Sequence, residues 1–412
     1  MAEKLVVVGQ GPAGLPLAMR AVEAGFRVVG LDEDGWRVKR LNAGEPCAEG
    51  VGADALAAAH ASGRYAASAD ADDATGFDVC VLTSPVRMRG GAPDLGPLGS
   101  AVRRIAPFLR PGATVVLEGT AYPGTTEEFV RPLLEQGSGL RAGEDFHLGH
   151  SPHRAEPGNP RWRLGNTPKV VSGVDAASLR AVTDFYGRLV RETVPVSSPR
   201  VSEMCALLET ARAHVGAALA NELSIFAAQL GVDVWEAVEA AATTPFGHAT
   251  PVPCPGIEDP CLPLDVTYLP WGIRRGVGRG FRLIEAANDV NAHMPAHVVD
   301  RLGLALNRRC RSIRGSRILL LGLSPVEVAK TLCRLGARVR AADPRADDRC
   351  PDDFVVPAGV EVVEPDAAEL ARADAVVVLG GQDCYDYDLV QRASRFVFDT
   401  RGRCRGPNVE RL

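Results

Sequence analysis

Short apolar runs alternate with helix-like patterns through the first third of the chain. The runs occupy residues 5–9, 26–31, 78–82, 113–117 and 146–151, and an apolar helical pattern covers residues 15–24. Strands that alternate with helices usually lie parallel in one sheet, with helices on both faces. The pattern therefore predicts an α/β fold that begins with a doubly wound sheet.

The middle of the chain is patterned differently. A helical pattern runs over residues 201–230 and stops at Gly231, a Pro/Gly-rich stretch covers residues 245–270, and residues 288–307 are helical again. A second strand–helix series begins near residue 317. We expect two Rossmann-like doubly wound domains joined by a long central helix and a helical middle domain, divided as residues 1–198, 199–306 and 307–412.

Composition narrows the class of protein. The chain has 412 residues, a hydrophobic fraction of 46% and a net charge of −5, so electrostatics favour neither a nucleic acid nor an anionic membrane as partner. We expect neither a membrane-spanning run nor a signal peptide. Ten cysteines lack a CxxC pair or zinc spacing, which indicates reduced thiols, no metal site and a cytoplasmic location. Arginine far outnumbers lysine, as in GC-rich genomes.

A glycine turn follows the first apolar run and opens the first helix. It consists of Gly9, Gln10, Gly11, Pro12, Ala13 and Gly14. The first glycine permits the tight turn, the second lets the backbone approach a pyrophosphate, and the third allows close helix–strand packing. Asp32 follows the second run at the spacing expected for a ribose-binding carboxylate, and it disfavours a 2′-phosphate. We therefore predict NAD as the cofactor.

Many further segments, in order, resemble signatures of the UDP-glucose/GDP-mannose dehydrogenase family, which includes UDP-N-acetylhexosamine 6-dehydrogenases. The resemblance covers nearly the whole chain. It is carried by residues 14–18, 93–95, 117–126, 151–154, 221–223, 231–235, 245–247, 255–256, 261–265 and 399–401. It implies a homodimer that forms through the central helix.

The resemblance also implies roles for single residues. The family oxidises a sugar hydroxymethyl group twice with NAD, through a cysteine-bound thiohemiacetal and thioester. Cys261 matches the nucleophile, although a buried apolar cysteine is the alternative; Asp265 matches the water-positioning carboxylate, and Thr120 a threonine near the nicotinamide. Thr83, Ser84 and Pro85 replace the third-strand motif, where we expect cofactor contacts.

Several positions depart from the family pattern. A lysine and an asparagine of the central helix are replaced by Ala206 and Thr210, so the pair that would stabilise an alkoxide is lost. A glutamate is replaced by His153. Glu258 stands near Cys261, where a carboxylate would raise the pKa of the thiol.

The expected substrate contacts are also altered. The last domain lacks a cationic segment after Gly322, which weakens the case for a diphosphate-linked sugar. Arg154, Gly256 and Arg401 are candidate substrate contacts, although Arg401 can equally cap the last strand. His214 is a further candidate, for which a structural histidine is the simpler interpretation.

Three functions remain open from the sequence. The first is an NAD-dependent enzyme of nucleoside or nucleotide-sugar metabolism in a specialised pathway, which oxidises its substrate transiently and then eliminates water or epimerises. His153, Glu258 and Cys261 are candidates for its acid and base. The second is the ordinary 6-dehydrogenase reaction, which gives a UDP-uronic acid. The third is a non-catalytic NAD-binding partner protein.

Overall fold

The computed structural model describes residues 3–47, 50–83, 87–89, 92–154, 161–245, 250–256, 280–346 and 356–412. These residues divide into two compact units, the first ending at Glu209 and the second beginning at Thr210. The boundary falls within one long helix, Pro199–Leu230. The three-part division expected from the sequence stays a prediction.

The first unit is built on an eight-stranded sheet, with strand order β10-β9-β8-β7-β4-β1-β2-β3. All neighbouring pairs are parallel except β8 and β9. Its strands are β1 (Lys4–Val8), β2 (Arg27–Leu31), β3 (Tyr65–Ser68), β4 (Val79–Leu82), β7 (Thr114–Glu118), β8 (His147–Ser151), β9 (Lys169–Gly173) and β10 (Thr193–Pro195). A separate hairpin joins β5 (Arg87–Arg89) to β6 (Ala92–Asp94).

Helices cover both faces of this sheet because the strands are apolar on both faces. In β1, Leu5 and Val7 pack into one core and Val6 and Val8 into the other. The α-helices are Gly14–Glu23, Gly35–Asn42, Ala53–Ala61, Gly96–Ile105, Arg131–Ser138 and Ala176–Gly187. Short helical turns occupy Ala71–Ala74, Ala106–Phe108 and Thr125–Val130.

The second unit contains a six-stranded, wholly parallel sheet of order β13-β12-β11-β14-β15-β16. Its strands are β11 (Arg317–Leu321), β12 (Arg338–Ala342), β13 (Glu361–Val362), β14 (Ala375–Val378), β15 (Val397–Asp399) and β16 (Val409–Arg411). Its further helices are Val234–Ala241, Arg282–Asn307, Val326–Arg334, Ala367–Arg372 and Tyr387–Ala393, with a short turn at Pro344–Ala346. The first strand is central and the order reverses beside it, as in dinucleotide-binding folds.

The predicted fold class, two Rossmann-like sheets and a long helix, is confirmed. The long helix stops where Gly231 adopts a φ of 69°, a left-handed conformation that favours glycine. Asp233 then caps the next helix by accepting the N–H of Trp235 at 3.0 Å. The helices in the described part of the chain contain no apolar segment of membrane-spanning length.

Candidate functional site

The carboxyl edge of the first sheet gathers five predicted site residues. Gly9 follows β1, Asp32 follows β2, Thr83 follows β4, Thr120 follows β7, and His153 lies two residues beyond β8. These five strands are neighbours and run parallel, so the residues that follow them share one edge. Ligands of open α/β sheets bind at that edge, beside the strand where the order reverses.

The glycine turn has the geometry that the motif requires. Gly9 has a φ of 92°, and its N–H donates to the Leu31 carbonyl at 2.7 Å. The Thr83 hydroxyl lies 2.8 Å from the Val8 carbonyl and 2.9 Å from that of Gly9. A Cβ on Gly14 would lie only 1.8 Å from the Gly9 carbonyl oxygen. Backbone conformation at Gly9 and packing at Gly14 therefore require glycine at both ends of the turn, whether or not a ligand binds.

Gly11, in the middle of the turn, differs from Gly14. A Cβ on Gly11 would meet no atom of the described residues within 4 Å. Packing against the described residues thus does not require glycine there, and the close approach of a ligand at this position stays a prediction. Pro12 and Ala13 complete the turn, and Ala13 leaves the first helix without a side-chain cap. The N–H groups of that helix end suit a pyrophosphate.

Asp32 is held beside this turn. One carboxylate oxygen accepts the N–H of Gln10 at 2.8 Å and lies 3.0 Å from the Arg37 guanidinium, and the other accepts the N–H of Asp34 at 2.9 Å. Each carboxylate oxygen has two lone pairs, so further acceptor capacity remains for ribose hydroxyls. The glycine turn, the uncapped helix and Asp32 fit NAD.

A buried charged cluster lies behind His153. Glu118 and Lys169 are each about 1% exposed, and the Lys169 Nζ lies 2.7 Å from the Glu118 carboxylate and 3.0 Å from the Pro152 carbonyl. The Tyr186 hydroxyl donates to the second carboxylate oxygen of Glu118. The Nδ1 of His153 lies 3.5 Å from the first, and the imidazole is 22% exposed. We call Glu118, Lys169, Tyr186 and His153 the Glu118 cluster.

The charges in the Glu118 cluster follow from this geometry. Burial would raise the pKa of Glu118, but the Lys169 ammonium and His153 outweigh that effect and lower it to about 2. Burial lowers the pKa of Lys169, and Glu118 opposes that shift. The pKa of Tyr186 is raised because it is buried beside a carboxylate. The cluster thus holds an ionised carboxylate against the His153 ring.

The loop that carries Thr120 is fixed from two sides. His150 lies 3.0 Å from the Gly119 carbonyl and 2.9 Å from the Ser202 hydroxyl, and burial lowers the pKa of His150 to about 4. Glu203, in the long helix, accepts hydrogen bonds from the N–H of Gly124 at 2.6 Å and the N–H of Thr126 at 2.8 Å. These contacts join the long helix to the loop that follows β7.

Arg154, the candidate substrate contact of the first unit, already has protein partners. Arg154 forms a bidentate ion pair with Glu209 and donates to the Pro168 carbonyl at 3.0 Å. Ala206 is 6% exposed and introduces no charge. A role for Arg154 in substrate binding stays a prediction, and it would require the Glu209 pair to open or be shared.

Further along the long helix, Thr210 is half-buried and His214 is 1% exposed. The Nε2 of His214 lies 3.4 Å from the Asn291 amide, which in turn bonds Asn221 at 2.9 Å. Asn221 also accepts the N–H of Cys254 at 2.7 Å. Burial lowers the pKa of His214, so the neutral imidazole is favoured. This network holds the segment before the predicted cysteine loop, and its geometry agrees with the structural interpretation of His214.

Five predicted site residues lie outside the described residues, and their roles stay predictions. They are Ser84, Pro85, Glu258, Cys261 and Asp265. Gly256 is described; its φ is 143°, and a Cβ there would come within 3.0 Å of Pro325. Packing thus explains this glycine without a ligand.

The second sheet repeats the arrangement around Asp32. Gly322 follows β11 with a φ of 90° and donates to the Ala342 carbonyl at 2.8 Å, as Gly9 does to Leu31. Asp343 follows β12 and accepts the N–H of Leu323 at 2.8 Å, as Asp32 accepts that of Gln10. Arg401 follows β15, where its side chain donates to the Leu379 carbonyl at 2.7 Å. The strand-capping alternative for Arg401 agrees with that bond.

The sequence motifs did not identify Glu118, Lys169 and Tyr186 as partners of His153, nor the carboxylate of Asp343. The scarcity of lysine was a usable signal, because Lys169 lies in an apolar strand where an ammonium needs a buried partner. Asp343 follows an apolar run near a glycine turn, which is the pattern that identified Asp32. Both patterns can be recognised in the sequence, but neither identifies the residue that Lys169 or Asp343 contacts.

Comparison with known proteins agrees with a dinucleotide-binding first unit. Residues 3–190 match the NAD binding domain of the UDP-glucose/GDP-mannose dehydrogenase family, and residues 200–293 match its central domain. A UDP-N-acetyl-D-mannosamine dehydrogenase of Pyrococcus horikoshii is 32% identical over 326 residues, covering 78% of this chain and 76% of that protein.

Two further comparisons span nearly the whole chain. An NDP-N-acetyl-D-galactosaminuronic acid dehydrogenase of Ralstonia nicotianae is 32% identical, covering 96% of this chain and 95% of its own. The solved UDP-D-ManNAc dehydrogenase of Pyrococcus horikoshii superposes with a TM-score of 0.87 at 26% identity, covering 99% of each chain. The chain belongs to the UDP-glucose/GDP-mannose dehydrogenase family, whose members are NAD-dependent nucleotide-sugar dehydrogenases.

Proposed function

We propose that this protein is a redox-neutral enzyme that acts on the sugar of a nucleoside or nucleotide sugar and eliminates water or epimerises a carbon. The observation that carries the proposal is that the buried or helix-borne cations of the first unit are either missing or already paired with carboxylates. At position 206 the family lysine is a buried alanine, while Lys169 is held by Glu118 and Arg154 by Glu209. No described lysine lies on the long helix to stabilise an alkoxide in the family manner.

His153 supplies an acid–base group where the family has a glutamate. Its ring is partly exposed and its Nδ1 side faces the buried carboxylate of Glu118. A carboxylate on one side of an imidazole orients the ring, so the nitrogen on the other side can exchange protons with a substrate. We assign His153 as the group that takes the hydroxyl proton, and Glu118 as its positioning residue.

The proposed reaction balances without an external oxidant. When bound, NAD supplies reversible hydride transfer, so a carbinol oxidised early in the reaction can be reduced again at its end. The intermediate ketone acidifies the neighbouring C–H; a base removes that proton, and the β-hydroxyl leaves with a proton as water. For epimerisation, the proton returns to the opposite face. His153, Glu258 and Cys261 are the candidate acid–base groups.

We further propose that the second unit binds the ribose of the substrate. Asp343 repeats the hydrogen bond of Asp32, and Gly322 repeats the turn of Gly9. A carboxylate in this position suits a vicinal diol, because two hydroxyls can donate to its two oxygens. The chain also lacks the family's cationic segment after Gly322, which favours a free nucleoside or monophosphate over a diphosphate. Arg401 remains a candidate for a single phosphate or hydroxyl.

The ordinary dehydrogenase reaction is the second candidate. It is favoured by the relatives, which are named as dehydrogenases of UDP- or NDP-sugars. It requires Cys261 as a nucleophile and Asp265 to position water. A non-catalytic NAD-binding partner protein is the third candidate, and the same experiment separates all three.

The deciding experiment incubates the purified protein and NAD with a panel of UDP-sugars and free nucleosides. Products are identified by mass spectrometry while NADH absorbance is followed. We expect a product lighter by one water, or an epimer of unchanged mass, without net NADH. Stoichiometric NADH with a sugar acid, abolished by Cys261→Ser, would establish the ordinary reaction instead. NAD binding with no change in any substrate would leave only the third candidate, a non-catalytic NAD-binding partner protein.

We also propose that the chain is a cytoplasmic homodimer that forms through the long helix. Leu219, Leu223, Phe226 and Leu230 lie at spacings of three and four residues on one helix face, and each is more than half exposed. Such an apolar stripe needs a partner surface, and a second copy offers a self-complementary one. No disulfide joins any two of the eight cysteines that the structure describes, in keeping with a reducing compartment.

A further inference from the structure

The loop after β7 is anchored at both ends by two neighbouring residues of the long helix, Ser202 and Glu203. At the start of the loop, the Gly119 carbonyl lies 3.0 Å from Nε2 of His150, whose Nδ1 lies 2.9 Å from the Ser202 hydroxyl. At its end, the loop backbone is held by Glu203. Thr120, which we expect near the nicotinamide, lies between the two anchors. The conformation of the loop therefore depends on the start of the long helix.

Glu203 is a buried carboxylate that faces hydrogen-bond donors. One oxygen accepts the N–H of Gly124 at 2.6 Å, and the other accepts the N–H of Thr126 at 2.8 Å and its hydroxyl at 2.7 Å. Glu203 is fully buried, and in the part of the chain that the structure describes its partners are these donors and not a cation. An ionised carboxylate accepts from all three donors at once, because it carries lone pairs and no proton. The ionised form of Glu203 therefore suits this conformation of the loop.

A proton on Glu203 would oppose this arrangement. Protonation turns one carboxyl oxygen into a donor, and a backbone N–H cannot accept a hydrogen bond. The N–H of Gly124 or that of Thr126 would then lose its acceptor at a buried site, which is unfavourable. Burial raises the pKa of Glu203 to about 7, although the hydrogen bonds from Thr126 and Gly124 lower it. The anchor at the end of the loop is therefore complete above this pH and weakened below it.

The charged and titratable neighbours of Glu203 come from three elements. Glu127 and Glu128, in the short turn Thr125–Val130, both pair with Arg200 of the long helix, at 2.7 Å and 2.6 Å. The Glu127 charge also contributes to the raised pKa of Glu203. On β8, burial lowers the pKa of His150 to about 4, so its ring is neutral when Glu203 titrates. Unlike the two glutamates of the turn, Glu203 has no described cation that stabilises its charge.

We propose that Glu203 is a positioning residue of the reaction, which holds the loop after β7 in the conformation that lets Thr120 contact the nicotinamide. The proposal rests on the cofactor contact expected of Thr120, and it holds whether the substrate is dehydrated, epimerised or oxidised to an acid. Because the ionised carboxylate holds the loop, the nicotinamide half of NAD should bind less well as Glu203 takes up a proton. The ADP half, which we place at the glycine turn, should be unaffected.

The experiment compares the binding of NAD with that of ADP-ribose, which occupies the glycine turn and lacks the nicotinamide. Isothermal titration calorimetry of the full chain gives both dissociation constants across a range of pH. We expect the affinity for NAD relative to that for ADP-ribose to fall about tenfold from about pH 8 to about pH 6, because the ionised fraction of Glu203 holds the loop. Binding needs no turnover, so failure of the proposed reaction leaves this test intact. A relative affinity that does not change with pH would overturn the proposal.

Three variants assign the pH dependence to Glu203. Glu203→Gln keeps the shape of the side chain but places an amide donor against the loop, so the relative affinity for NAD should be low at every pH. Thr126→Val removes a hydrogen bond that lowers the pKa of Glu203, so the midpoint should move to higher pH; this variant decides the matter if Glu203→Gln does not fold. Glu128→Gln, a matched loss of charge at an exposed glutamate, should behave as the wild type does. A pH dependence that persists in Glu203→Gln, or an unchanged midpoint in Thr126→Val, would assign the effect to another group and overturn the proposal.

Discussion

The ammonium of Lys169 lies 2.7 Å from the carboxylate of Glu118, and both side chains are fully buried. The pair joins β9 to the end of β7, just below the loop that carries Thr120. Its charges cannot reach water, so each group depends on the other for stabilisation. Two kinds of measurement follow, one on stability and one on acid resistance.

Replacing Lys169 by Met should destabilise the first unit by about 3–5 kcal/mol, because the Glu118 carboxylate would remain buried without its counterion. The double variant Glu118→Gln with Lys169→Met should recover much of that loss, since no charge is left unpaired. Urea unfolding of the wild type, both single variants and the double variant measures the coupling. Additive losses in the double variant would show that the two groups do not depend on each other.

Acid should destabilise the protein in a defined pH range. Glu118 has a pKa of about 2 in the folded chain, against an ordinary value of 4.5. A lowered carboxyl pKa stabilises the fold above the unfolded value, and this contribution is lost as pH falls from about 4.5 toward 2. The double variant should lack this part of the slope. Unfolding midpoints measured across that pH range for the wild type and the double variant test this. If both proteins show the same pH slope, other groups cause the acid sensitivity.

The two glycines of the dinucleotide turn should respond differently to alanine. In Gly11→Ala the new Cβ meets no atom within 4 Å in the part of the chain that the structure describes, so folding should be unchanged while NAD affinity falls because the pyrophosphate is obstructed. In Gly14→Ala the Cβ would lie 1.8 Å from a backbone oxygen, so the first unit should lose stability. Thermal unfolding and NAD titration of both variants separate the effects. Wild-type NAD affinity in Gly11→Ala would place the pyrophosphate elsewhere.

Removal of the His153 side chain should lower the catalytic rate and leave the cofactor site intact. We expect His153→Gly to lower kcat by about 10²–10⁴ with NAD affinity unchanged, since general acid–base catalysis contributes on that order. Added imidazole should restore part of the rate by entering the vacated space, which a purely structural histidine would not allow. A kcat close to that of the wild type would remove His153 from the mechanism.

Local pattern was sufficient to predict much of this molecule. The glycine turn, the position of Asp32 and the ends of β1, β4, β7 and β8 follow from apolar runs and short motifs. The roles expected for Thr83 and Thr120 came from the family resemblance, and parallel strands place the residues that follow them at one edge. Thr83 and Thr120 lie at that edge as a result.

The Glu118 cluster shows where local pattern fails. Lys169 and Tyr186 reach Glu118 from 51 and 68 residues away, and neither spacing has a periodicity that predicts contact. Lys169 opens β9, which runs antiparallel beside β8 in an otherwise parallel sheet, so the start of β9 lies where β8 ends; Tyr186 comes from the helix Ala176–Gly187. Motif matching found His153 as a departure from the family, but only the folded sheet shows the carboxylate behind it.

The apolar stripe of the long helix should control assembly. Phe226→Asp places a charge among Leu223, Leu230 and the facing copy, so we expect the homodimer to dissociate because the charge would be buried unpaired. Leu304→Asp is the matched control: Leu304 is 56% exposed in the helix Arg282–Asn307 and lies outside the stripe. Sedimentation velocity over a range of concentrations gives the mass of each variant. A wild-type chain that sediments as a monomer, or an unchanged dimer in Phe226→Asp, would show that this stripe is not the interface.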